Sequence, residues 1–358
     1  MRGANVGLVL LALLAACGDG TPASRHARLY ALSTGDAGQT GGSNHALTII
    51  DLPTWKVTRT VAVPGAGRAF LARDPSGRLW VTHHGPDNAF ESGAELFSPE
   101  GDKLADVATC KGGHRAVFGM GDAWVACEEN DFQGALAQID LGTLAPVTAV
   151  PTALRFPESD VFAVTSAGLM GSRIVVAGAV NTGSGVLVLD GSDAAPRSIL
   201  FGAANFGTAL SHGEDAVLLN AESGLVRPPG TIPDVIKMSG SPVVVTNLTA
   251  APSPQTGVVV GDALYVAGQV DGVTSPTFAR VAVGERAGAG GPWPTSLRGQ
   301  AAAMATDGTA VFVALERPDS DDADGLYELD TGTGALTLRL ALADVTDLAF
   351  APPSASGN

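Results

Sequence analysis

The chain has 358 residues and a net charge of −15, and no basic stretch interrupts it. That balance repels phosphate backbones and anionic lipid heads, so it argues against nucleic acid as a partner. Aromatic residues make up 5% while Gly numbers 46, which leaves Val, Leu, Ile and Ala to build a core of many short strands joined by Gly and Pro turns.

Met1-Arg2 supplies a short positive start, Val6 to Ala16 is apolar or small throughout, and Leu14-Ala15-Ala16-Cys17 closes the run. This order describes a secretory signal over residues 1–16. Cys17 followed by Gly18 resembles the lipobox of bacterial lipoproteins, which implies lipidation of Cys17 and a membrane-anchored protein of the cell envelope on its extracytoplasmic, periplasmic side. The other reading, an uncleaved membrane helix, asks for about 20 apolar residues. The run here is shorter and ends in Gly-Asp-Gly. Residues 17–27 carry small and polar side chains without periodicity and read as a flexible tether.

From Arg28 onward the chain shows short alternating segments separated by turns. The clearest unit is Arg68 to Asp74, Pro-Ser-Gly, then Arg78 to His83. It recurs at Arg115 to Cys127, Val258 to Gly268 and Ala301 to Leu315. A third strand follows in Ala46 to Leu52, Ala135 to Leu141, Gly185 to Asp190 and Gly325 to Asp330, and a fourth in Lys56 to Val63, Pro146 to Val150 and Ala335 to Leu342. First strands fall near residues 68, 115, 160, 208, 256, 301 and 345, a period of about 44–48 residues that suits propeller blades. The expected fold is all-β: a seven-bladed propeller over 28–350, with Asp344 to Phe350 closing the ring in the blade of Arg28 to Val63 and a disordered tail at 351–358. A closed ring leaves no open sheet edge, so a monomer is expected. Arg227-Pro228-Pro229-Gly230 interrupts the fifth blade, and its middle strands are left unassigned.

With Cys17 lipidated, Cys110 and Cys127 remain, and an even remainder in an oxidising compartment reads as one disulfide; two buried thiols are the alternative.

The alternation of IDLPTWKVTRTVAVP at 50–64 with DPSGRLWVT at 74–82 resembles the YVTN, NHL and SMP-30 type of propeller repeat. The likeness implies a fold rather than an activity. SMP-30-like lactonases hold a metal with Glu, Asn and Asp at the channel mouth. Glu158, Asn205 and Asp344 offer those residue types, but that family is similar to six blades and this chain has seven first strands.

If each first strand lines the channel, short turns gather on one face and long polar loops (34–45, 84–93, 128–134, 179–184, 269–276 and 316–324) on the other, the face that usually carries function. The connections between blades bring Arg68, His114, Arg115, Glu158, Asn205, Gln255, Gln300 and Asp344 to the channel mouth as candidate ligand-binding residues; a water-filled polar channel is the alternative. His45, His83, His84 and His114 lie near the long-loop edge of three successive blades, with Glu91 and Glu128 close in sequence. His45, His84 and His114 are candidate ligands for Zn²⁺. Asp322 and Asp324, in a loop that echoes the start of a Ca²⁺ site, are candidates for Ca²⁺, although position twelve would be Thr331 rather than Glu. No G-x-S-x-G elbow appears. The residues therefore favour a binding or scaffold propeller acting through its acidic long-loop face on a protein or glycan partner. The alternative is a metal-dependent, lactonase-like hydrolase or lyase at the channel mouth.

Overall fold

The computed structural model describes residues 27–352, apart from 35–44, 66, 86–90, 131–132, 149–150, 191–192, 202–203, 205, 221–234, 249–253, 269–276, 284–290, 293–299 and 317–323. Within them, seven sheets of four antiparallel strands form the blades. Blade two shows how the sequence sets the layers. Arg68–Arg73 alternates between its two neighbours, with Ala69 and Leu71 packed against blade one and Ala72 against blade three. Leu79–Gly85 is buried along its whole length, Ser92–Phe97 is buried over its last four residues, and Lys103–Lys111 presents Lys103, Asp106 and Lys111 to solvent on the outer edge. Apolar residues thus concentrate in the middle strands, where sheets face sheets on both sides.

The core is not one mass but seven clusters, each shared by two adjacent blades. Trp80 and Leu96 of blade two pack with Val125 and Ile139 of blade three. Trp124 and Leu136 of blade three meet Phe162 and Ile174 of blade four. The pattern continues round the ring until Phe312 and Leu326 of blade seven meet Leu29, Ile50 and Leu348 of blade one.

The ring closes as its sequence implies. Val345–Ala351 pairs antiparallel with Arg28–Thr34, so the first blade is built from both ends of the described chain. In blade five, Asp215–Asn220 and Val235–Ser239 are the middle strands that the Arg227–Gly230 interruption had hidden. Three expectations are corrected. The outer strand of blade three is Thr152–Leu154 rather than 146–150, and 128–134 is no long loop, because Asn130 pairs with Gln133. Residues 179–184 form no long loop: Val180 pairs with Gly183, leaving a two-residue turn between Arg173–Val180 and Gly183–Asp190. Polar Asn181-Thr182 sits at the tip, and small Gly183 and Ser184 continue the ladder that their composition had suggested they would break.

The tight turns on the opposite face are braced by their own Asp residues. Buried Asp74 accepts hydrogen bonds from Ser76 Oγ at 2.7 Å, the Arg78 amide at 2.9 Å, Arg78 Nε at 2.6 Å and Trp80 Nε1 at 3.2 Å. Gly77 supplies the positive φ of 94° that the turn needs. Burial pushes the Asp74 carboxyl up, but these donors outweigh it and hold it below the ordinary carboxylate range.

Candidate functional site

The long-loop rim of blades one to three collects the buried histidines. His45 opens the third strand of blade one, His83 and His84 lie at the end of the second strand of blade two, and His114 lies in the connection from blade two to blade three. Successive side chains on a strand point to opposite faces, and the histidines divide accordingly. His83 turns to blade one, its ring centroid 6.1 Å from that of His45. His84 turns to blade three, its centroid 5.1 Å from that of His114. All four are buried.

The backbone holds this rim tightly. Gly113 donates to the His83 carbonyl at 3.2 Å, His114 donates to the Ala126 carbonyl at 2.8 Å, and Glu128 donates to the Gly112 carbonyl at 3.1 Å. The Thr82 hydroxyl donates to the His114 carbonyl at 2.9 Å. The connector 112–114 is thereby stitched to both blades it joins. Cys110 and Cys127 form a disulfide directly beside it, with Cα atoms 5.8 Å apart. On the other side, Gly65 packs so close that a Cβ there would fall 2.8 Å from His83 Nδ1.

Two of the rim's imidazoles are poorly satisfied by protein. Neither ring nitrogen of His45 or His114 has a well-formed hydrogen-bond partner in the protein, a weak approach of His114 to the Val164 backbone aside. Burial, aided by the neighbouring His84, pushes His114 down to about 3, so its ring is neutral. Burial and His83 lower His45 as well, opposed by Glu91. His84 Nδ1 lies 3.2 Å from the Gly85 carbonyl, the geometry of a donated hydrogen bond, and His84 Nε2 lies 3.5 Å from Glu128 Oε2. One ligand atom from each of His84, His114 and Glu128 falls within 4.8 Å of the other two. Phe70, from the inner strand of blade two, covers both imidazoles.

The sequence candidates are distributed as follows. His84 and His114 come together, but His45 belongs to the other histidine pair. Asp322 and Asn205 lie outside the described residues, and Asp324 sits near Glu316 and Asp344 rather than near the histidines. Gln300 Nε2 donates to Gln255 Oε1 at 3.3 Å, so that pair does meet. Arg68 heads the inner strand of blade two, and Glu158 is exposed in the connection to blade four. Arg115 is engaged structurally, its guanidinium paired with buried Asp347. A cavity of about 710 Å³ opens beside the rim, lined by Glu129, Arg155, Phe156, Asp160 and Phe162. Sequence reasoning missed it because much of its wall comes from the connection between blades three and four, which carries no repeat signal.

No protein-family model matches the chain, and no curated protein matches it. Solved structures do. A candidate 6-phosphogluconolactonase from Bacteroides fragilis is 13% identical, with 93% of this chain and 100% of that one covered at a TM-score of 0.62. Its counterpart from Bacteroides uniformis is 14% identical, with 91% and 100% covered at 0.59. A structural-genomics protein from Lactobacillus plantarum is 14% identical, with 91% and 99% covered at 0.56. At such identities the likeness establishes the propeller fold and nothing of the chemistry.

Proposed function

We propose that this propeller is a lipid-anchored, extracytoplasmic binding protein whose ligand or partner seats on the long-loop rim of blades one to three. One observation carries the reading: the rim holds buried, neutral and unsatisfied imidazole nitrogens on a backbone frame braced from both blades. An unsatisfied buried polar group costs on the order of 1–3 kcal/mol, and a bound ligand that supplies the missing partner recovers that cost. The anchor rests on the Leu14-Ala15-Ala16-Cys17 motif. The acidic surface favours a basic protein, a cation or a neutral glycan as partner.

The experiment places a photo-reactive amino acid at Glu129 on the rim or at Glu214 in an exposed turn of the opposite face. Defined adducts from Glu129 alone support the reading, and adducts from Glu214 alone overturn it.

The second reading, a lactonase-like hydrolase at the channel mouth, draws on the fold shared with the Bacteroides proteins. A phosphorylated lactone is an anion and meets a chain of net charge −15. Hydrolysis of 6-phosphogluconolactone by the purified protein is expected to stay at the buffer rate. Saturable turnover lost in Asp344→Asn would favour the enzyme instead.

A further inference from the structure

We infer that His84, His114 and Glu128 form a binding site for a divalent transition-metal ion of the zinc class. This rests on the rim being the binding surface and names the ligand that it takes.

Three independent features converge. The donor set is two imidazoles and one carboxylate, which suits zinc and its neighbours and not Ca²⁺ or Mg²⁺, whose sites are built from oxygen. The tautomer is prepared: the Gly85 carbonyl takes the Nδ1 proton of His84, which leaves the Nε2 lone pair facing Glu128. A second-sphere carbonyl of this kind is the usual partner of a metal-bound imidazole. His114 then brings a buried ring, both nitrogens short of a well-formed protein partner, against the same spot.

The geometry is close to closed. A tetrahedral zinc ion sets its ligand atoms roughly 3.3 Å apart, and the His84–Glu128 pair already stands at 3.5 Å. The His114 ligand atom lies within 4.8 Å of both others, so the binding of an ion asks for a closer approach of that side chain. Three protein ligands leave one tetrahedral position for water or for a donor atom of the bound partner.

The test is a titration of the mature chain carrying Cys17→Ser with Zn²⁺ alone against a competing chelator, with Co²⁺ absorption as a spectroscopic check. One equivalent is expected to bind, with affinity reduced at least about tenfold in Glu128→Gln and in His84→Gln. Asp324→Asn, beside Glu316 and away from the histidines, should leave affinity unchanged. Thermal melts of each variant without metal separate lost ligation from lost folding. Absence of stoichiometric binding by the parent, or affinity undiminished in both ligand variants, overturns the inference. Rim-specific adducts from Glu129 in a protein that binds no zinc would sink the metal site alone. Zinc binding without rim adducts would sink the rim as the seat of a protein or glycan partner and leave the metal site standing.

Discussion

The Leu71 amide donates a 2.8 Å hydrogen bond to Asp347 Oδ2 across 276 residues of sequence. Leu71 lies in the inner strand of blade two, and Asp347 in the C-terminal strand that completes blade one. The same buried carboxylate accepts from the Leu348 amide and from the Arg115 guanidinium. One side chain therefore joins the last strand to the next two segments of the ring.

Asp347→Ala should destabilise the protein by about 3 kcal/mol, because it strands a buried amide and an arginine. Deletion of 344–358 should do more and abolish cooperative unfolding, since it removes the inner strand of blade one and, with Val345 and Leu348, part of its interface with blade seven. Urea denaturation of both variants measures this. A truncated chain that unfolds like the parent would contradict closure by the C-terminal strand.

Asp74 makes a prediction with a definite sign. Its folded pKa is depressed, so its stabilisation is present above the unfolded value near 3.9 and lost as pH falls through the folded value. Asp74→Asn should cost about 2 kcal/mol at pH 7, by weakening the bonds to Arg78 and Trp80. Its stability should then fall less than the parent's between pH 7 and pH 3. Equal slopes in denaturant titrations at the two pH values would refute the account.

The disulfide should persist in the folded protein. Alkylation without reductant followed by intact-mass measurement should find Cys110 and Cys127 unlabelled. The double Ser variant should lose about 3 kcal/mol in the chain-entropy picture of a loop this short. It should also loosen Glu128, which follows Cys127, and weaken zinc binding severalfold. Zinc affinity unchanged in a folded double variant would separate the bridge from the site.

Cys17→Ser should release the protein from membranes, because more than one acyl chain at a single residue gives the attachment that one chain does not. Fractionation in high salt reads this directly. A variant that still pellets would refute the lipid anchor.

Much of this architecture was legible because it is local. Alternation, Asp-Gly turns and a steady repeat length mark blades without any long-range information, as Arg68 to His83 shows. The split of His83 and His84 between two faces also follows from strand geometry alone. Other features depend on distant segments. Arg115 reads as a channel-mouth ligand in the sequence, yet Asp347, 232 residues away, takes its charge. Glu128 joins His84 across two blades, a meeting of segments 44 positions apart that no composition signal announces. Blade five was obscured by Arg227–Gly230, which breaks the alternation just before Val235–Ser239 resumes it.

The most direct test of the rim as the binding surface is the adduct yield from a photo-reactive residue at position 129, measured in Glu128→Gln and in Glu214→Lys. Glu128 lies within the histidine rim, and Glu214 is an exposed turn residue of blade five on the opposite face. The rim predicts a yield that collapses in Glu128→Gln and is unchanged in Glu214→Lys. A yield that survives the first substitution and falls with the second would contradict it.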